Sequence, residues 1–166
     1  MKKFMCAAAV VVTMVAMACS SCTTSTTSGA STTASPALAD GRHYAKIKVV
    51  AVDPDSVTFD VREYFTGEAA DQAAVADGVI KEGESMPDDI YVRNDSKETT
   101  TLDVAPSTQV GVLKMNGGST ETAPMSFAEF EKKYKAAKDP GALRQHGYWI
   151  TVTNGEVTAI EEQFHP

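Results

Sequence analysis

Asn154-Gly155 stands between two runs that alternate apolar and polar residues, in YWITVTNGEVTAIEEQF at 148–164. A two-residue connection between strands favours the type I′ turn, which needs positive φ at both positions and so selects Asn-Gly. This feature predicts a C-terminal hairpin and, with it, a β-rich fold. Counted back from the turn, Val152 is expected opposite Val157, Ile150 opposite Ala159 and Trp149 opposite Ile160. Both hairpin faces are then partly apolar, one lining a sheet or barrel interior and the other receiving an amphipathic helix. Trp149 belongs to the core on that count. The competing reading makes it an exposed anchor for a ligand or partner.

A second hairpin is written in HYAKIKVVAVDPDSVTFDVREYF at 43–65. Ile47, Val49 and Ala51 share one face and Lys46 and Lys48 the other. After the Asp-Pro turn, Val57, Phe59 and Val61 alternate with Thr58, Asp60 and Arg62. Three more strands are expected at 89–93, 100–104 and 108–115, the last ending in the turn formers Asn116-Gly117-Gly118-Ser119. An alanine-rich helix is predicted over 67–77, capped by Thr66 and closed by Gly78 in the left-handed conformation. A second helix, 126–138, carries a capping box, Ser126 with Glu129. It adds a Met125–Phe130 staple and a stripe of Phe127, Phe130, Tyr134 and Ala137. The fold class is therefore α+β and mainly β: a small antiparallel sheet or partly closed β-barrel with two short helices.

The N-terminus is of another kind. Lys2 and Lys3 precede an apolar run from Phe4 to Ala18 that is interrupted only by Thr13. As a helix, 15 residues rise about 22 Å, short of the roughly 30 Å hydrocarbon core. The run suits a signal peptide better than a retained span. Ala16 and Ala18 provide the small residues that cleavage before Cys19 requires, and a cysteine directly after the cut is the lipoprotein arrangement. VAMAC resembles the bacterial lipobox, except that Ala16 stands where Leu is preferred. Cys22 fits the same rule less well, and a plain secretory signal is the competing reading. Expected boundaries are 1–18 for a lipoprotein signal peptide, 19–41 for the acylated Cys19 and a Ser/Thr/Ala-rich tether, and 42–166 for the globular domain. Two or three acyl chains suffice for stable anchoring. The expected location is the extracytoplasmic face of the cell membrane.

Charge and cysteine content narrow the function. The whole chain carries 22 acids and 15 bases, and loss of Lys2 and Lys3 with the signal leaves a formal net charge of −9. Such a domain is a poor match for nucleic acid, so no nucleic-acid partner is expected. With Cys19 acylated, Cys22 is the one thiol left, so an internal disulfide is impossible and the core must carry the fold. His43, His146 and His165 are isolated, with no metal-ligand spacing. There is no nucleophile elbow and no phosphate loop. Asp53/Asp55, Asp88/Asp89 and Glu161/Glu162 lack the spacing of a calcium loop and read as solvated acids. Arg93, inside the β-forming YVRND with Tyr91 on the same face, must pair with an acid if that face is covered; binding an anionic ligand and simple exposure are the other readings. No catalytic, cofactor-binding or metal residue is singled out, and no cofactor is implied.

The stretches VTFDVREYFTGEAADQAAVADG, YVRN and YWITVTNGEVTAIEEQFHP resemble, in the same order, a group of small secreted proteins and lipoproteins of actinobacteria. The resemblance runs from about Ala45 to the C-terminus. It implies a Gram-positive cell surface and brings no functional residues with it. The sequence thus predicts a lipid-anchored, extracytoplasmic β-rich domain that binds a small ligand or a protein partner. A surface enzyme and an accessory subunit of a membrane complex are the alternatives.

Overall fold

Both hairpins form, and each contains one residue more than simple alternation allows. The computed structural model describes residues 38–116, 119–137 and 143–164, all within one unit, Ala34–Pro166. The expected signal peptide, Cys19 and most of the tether lie outside the described residues. Among the described residues no helix is long and apolar enough to cross a membrane.

The strands are β1 (Gly41–Ala51), β2 (Ser56–Thr66), β3 (Ile90–Arg93), β4 (Thr100–Asn116), β5 (Ser119–Met125), β6 (Gly147–Thr153) and β7 (Glu156–Gln163). Helix α1 (Glu68–Ala76) follows β2, and α2 (Phe127–Ala136) follows β5. The sheet order is β3-β2-β1-β6-β7-β4-β5, and β2 also pairs with β4. Strands β1, β2, β4, β7 and β6 therefore close into a ring, with β3 and β5 added at its margins. All pairs are antiparallel except β4–β7, which is parallel and makes the sheet mixed.

In the first hairpin Ile47 pairs with Phe59, but Val49, not Lys48, pairs with Thr58. Lys48 is the extra residue of a β-bulge, and it reverses the phase of the residues after it. Ala45, Ile47 and Val50 point inward at 2% exposure or less, while Val49 is 52% exposed. The face expected to be shared by Ile47, Val49 and Ala51 is thus corrected: Ala45, Ile47 and Val50 share the inward face, and Val49 leaves it. The carbonyl of Ile47, beside the bulge, accepts the Tyr134 hydroxyl at 2.7 Å.

The second hairpin turns at Asn154-Gly155 with φ of 54° and 79°, as the type I′ turn demands. Val152 pairs with Val157 as expected, but Thr158 is extra, and Thr151 pairs with Ala159. Ile150 consequently meets Ile160, and Trp149 meets Glu161. The expected pairs Ile150–Ala159 and Trp149–Ile160 are corrected accordingly. Tyr148, Ile150 and Val152 face inward, and Trp149 lies on the opposite, outer face, away from α2.

Strands expected separately at 100–104 and 108–115 are the two arms of β4. Its first arm pairs with β2, its second with β5. The β7 register jumps between Val104 and Gln109, around Pro106, which has no N–H to give a ladder. Strand β5 was not foreseen, since STETAPM lacks the β-branched apolar alternation of its neighbours.

Helix α2 has both hydrogen bonds of the capping box between Ser126 and Glu129. It buries Phe127, Phe130 and Tyr134 in the ring's interior beside Tyr148; Phe130 and Tyr148 meet edge to face, 5.7 Å between centroids. Helix α1 starts at Gly67, not at a Thr66 cap, and ends as predicted with Gly78 at φ 71°. It packs outside the ring against β2 and β3.

Candidate functional site

The outer face of β2, β1 and β6 gathers the residues that the interior rejects. The ladder sets Tyr44 opposite Arg62 and Lys46 opposite Asp60, and on its other side Tyr44 opposite Trp149. Tyr64, two residues beyond Arg62, reaches the same row. The three rings contact one another: Tyr44–Tyr64 at 4.6 Å, Tyr44–Trp149 and Tyr64–Trp149 both at 5.3 Å between centroids. Trp149 donates Nε1–H to Gln163 Oε1 at 2.7 Å. Arg42 lies over its ring, 4.4 Å from the centroid, and pairs with Glu161 at 2.8 Å. Tyr44 crosses the strand above Gly147, where any Cβ would overlap its ring. Burial is the main cause that pushes the Tyr44 hydroxyl up to about 12; the neighbouring Tyr64 adds to it and Arg62 opposes it.

Beside this aromatic row lies a polar knot. Asp60 is only 2% exposed, because Asn94, just past β3, folds over it. Its Oδ2 accepts from Arg62 at 3.1 Å and Asn94 at 3.2 Å and forms an ion pair with Lys48 at 3.3 Å. Oδ1 of Asp60, Nε of Arg62 and Oδ1 of Asn94 are buried without a hydrogen-bond partner. Buried polar groups are normally paired, so three unmet atoms in one spot mark a place where water, a ligand or a shift of side chains completes the set. Next to them opens a recess of about 270 Å³ lined by Tyr44, Lys46, Arg62, Val92, Gln145 and Gly147.

Lys46 makes no ion pair among the described residues. Desolvation, and then the nearby Arg62 and Lys48, hold its pKa below the usual lysine value. The recess thus offers cations and one apolar-aromatic wall. The nearest carboxylate, Asp60, is already engaged by three partners, and Tyr44 holds its proton too firmly to act as an acid near neutrality.

Arg93 does pair with acids. Its Nε and Nη2 reach the two oxygens of Asp77 at 2.7 and 3.0 Å, Nη1 reaches Glu63 at 3.2 Å, and Nη2 also donates to Ala73 O at 3.2 Å. Tyr91 donates to the same Asp77 at 2.8 Å. Hydrogen bonds from Arg93, and then from Tyr91, hold the Asp77 carboxyl below the usual range. Since Asp77 caps α1, Arg93 ties the C-terminal end of that helix to β3, where a cation also suits the helix dipole. No described histidine joins it.

The expected acid pairs behave differently from one another. Asp53, Asp55, Asp88 and Asp89 are exposed. Glu161 faces outward to Arg42, whereas Glu162 is buried, contacts His146 and accepts the Leu113 N–H at 2.7 Å. Reading Glu162 as a solvated acid is corrected: the bulge at Thr158 turns it inward. His43 contacts the Ala39 carbonyl at 2.8 Å, and His165 lies outside the described residues. Among the described residues no group of three or more His, Cys, Asp or Glu side chains is placed to hold a metal ion.

The knot was missed in the sequence because Asp60 and Arg62 alternate correctly as solvent-facing residues. Only the return of Asn94, 34 residues later, covers Asp60. No family model matches the chain, and no curated protein or solved structure does.

Proposed function

We propose that the protein is a lipid-anchored, extracytoplasmic binding domain, held at Cys19 and presenting the outer face of β2, β1 and β6 as its binding surface. The single observation that carries the binding role is a recess lined by Tyr44, Lys46 and Arg62, the last of which belongs to the knot of unmet polar atoms with Asp60 and Asn94. The anchor rests on Lys2-Lys3, the apolar run 4–18 and the small residues before Cys19. The resemblance to actinobacterial surface proteins supports a Gram-positive envelope as the setting.

Two measurements on the full-length protein in cells test the proposal. Metabolic labelling should show palmitate on the protein, with Cys19→Ala unlabelled and released to the medium. Label that survives in Cys19→Ala and vanishes in Cys22→Ala would move the anchor. A photocrosslinking residue at Gln145, on the rim of the recess, should give adducts that the same group at exposed Val79 does not. Equal adducts from both positions, or none from either, would remove the surface from consideration.

A further inference from the structure

We infer that the recess beside Tyr44 is a site for an oxyanion, the carboxylate or phosphate group of a small ligand or of the end of a larger one, held by Lys46 and Arg62. The inference rests on the binding role proposed above and names the chemistry of its ligand.

The first argument is charge. Lys48 and Arg62 pair with one carboxylate, Asp60, and Lys46 stands beside them unpaired, so three cations share one acid and leave a surplus of two positive charges in this cluster. The chain as a whole has a formal net charge of −7, with acids in excess over bases. An acidic protein that concentrates unbalanced cations at an aromatic-walled recess has made a place for a negative group. A cation would meet the same surplus as repulsion, and a neutral ligand would leave it uncompensated.

The second argument is the state of the individual donors. Lys46 stands directly opposite Asp60 in the ladder, yet Asp60 is engaged by Lys48 and Arg62 instead. Lys46 is left partly desolvated with no counter-charge among the described residues, an arrangement that costs free energy until an anion arrives. Arg62 gives Nη2 to Asp60 and lines the recess with 26% of its side chain exposed. A guanidinium beside a lysine fits the planar, two-oxygen acceptors of carboxylate and phosphate better than a spherical halide.

The third argument is size and shape. A recess of about 270 Å³ holds a group of several heavy atoms but is at the small end of ligand pockets, so it takes a fragment rather than a polymer chain. Val92 and the Tyr44 ring supply the apolar wall against which the carbon part of such a ligand can rest, and Gln145 stands at the rim. Tyr44 contacts Trp149, the single tryptophan of the chain, so occupancy of the recess should be read in tryptophan emission.

The test uses the full-length protein with inorganic phosphate and acetate as probes, at constant ionic strength against chloride. The expected result is a saturable change in Trp149 emission with at least one oxyanion, accompanied by a rise in melting temperature that chloride does not give. Response to phosphate alone assigns a phosphoryl ligand, and response to acetate alone a carboxylate. Lys46→Gln, which breaks no ion pair, should fold as the parent and bind the responding anion at least tenfold more weakly. Lys46→Met, which keeps the apolar stem, is the second variant should the first fold poorly. The inference is overturned if neither oxyanion exceeds chloride, or if the folded Lys46 variants bind like the parent. Failure here with Gln145 adducts still present removes only the oxyanion and leaves a binding face for a neutral or macromolecular partner. Failure of both removes the binding surface itself.

Discussion

The two faces of β1, β2 and β6 are made by the same strands and differ in almost every physical respect. Inward lie Ala45, Ile47, Val50, Val57, Phe59, Tyr148, Ile150 and Val152, each at most 2% exposed. The polar atoms that must enter this interior are satisfied: Tyr134 donates to Ile47 O at 2.7 Å, and Tyr148 to Leu143 O at 2.6 Å. Outward lie Tyr44, Lys46, Asp60, Arg62 and Trp149, with three buried polar atoms around Asp60 lacking partners. The inner face meets its polar atoms within the protein, and the outer face leaves three of them unmet. Substitutions on the two sides should therefore have different consequences for stability.

The largest difference should appear on deleting one aromatic from each side. Phe130 is fully buried and packs on Tyr134 and Tyr148, so Phe130→Ala should cost about 3–5 kcal/mol. Against a total stability of about 5–15 kcal/mol, that leaves a marginal domain. Trp149 is half-buried and held by ring contacts with Tyr44 and Tyr64, so Trp149→Ala should cost about 1–2 kcal/mol and remain folded. Urea unfolding of both variants, followed by far-UV circular dichroism, measures the gap. Equal losses would mean that the outer aromatic row is a second core, and the division between the faces would fail.

Alkaline pH probes both faces at once. All five tyrosines have hydroxyl pKa values pushed above the ordinary value. Burial is the first cause for Tyr44, Tyr64, Tyr134 and Tyr148, and the hydrogen bond to Asp77 for Tyr91. A raised folded pKa means that the folded state holds the proton more tightly than the unfolded chain does. The stabilisation is therefore whole below pH 10 and is lost as pH rises through the folded values, which for Tyr44 is about 12. Lys46, with its pKa lowered, works the other way and recovers stability as pH rises towards the ordinary lysine value. Five groups outweigh one, so stability should fall above pH 10. Tyrosinate absorbance should show no step at pH 10 while the protein is folded. Tyr148→Phe on the inner face should reduce the pH dependence more than Tyr44→Phe on the outer, because burial shifts Tyr148 further. A normal tyrosinate step in the native protein would contradict the burial of these rings.

Much of this architecture is legible in the sequence, and the illegible parts share a cause. The Asn154-Gly155 turn, the Ser126–Glu129 capping box and the Gly78 stop are local chemistry, in which a few adjacent residues specify one backbone path. The bulges at Lys48 and Thr158 are not. Neither residue is a glycine, and each bulge is fixed by what the strand must pair with across the ring. One unseen extra residue moves every side chain beyond it to the other face, which is what separates Val49 and Glu162 from the environments that simple alternation gives them, whereas Trp149 keeps its expected face and lacks only the helix expected to cover it. The candidate site was hidden for a related reason. Its charged residues alternate as solvent-facing ones should, and their burial depends on Asn94 and the positioning of β3, far away in the chain. Arg93 was legible as a charge in need of a partner, but that partner, Asp77, sits at the end of a different element.

The smallest predicted effect tests the bulge on which the separation of the faces depends. Unbroken alternation from Ile47 would bury Val49 and expose Val50, whereas the bulge at Lys48 leaves Val49 52% exposed and Val50 1%. Threonine has nearly the shape of valine and differs mainly in carrying a hydroxyl, so Val→Thr reports on burial with little change in volume. At Val49 the hydroxyl meets water, β propensity is retained, and the change in stability should stay within about 0.5 kcal/mol. At Val50 the same hydroxyl enters an apolar interior, at a cost of about 1–3 kcal/mol unless it finds a partner. Matched urea melts of Val49→Thr and Val50→Thr decide between the two phases. A larger loss at Val49 would place the extra residue elsewhere in β1. The side-chain assignments after Lys48 would then reverse, turning Val49 and Ala51 inward and Val50 outward, and the separation of the two faces would fail along the second half of β1.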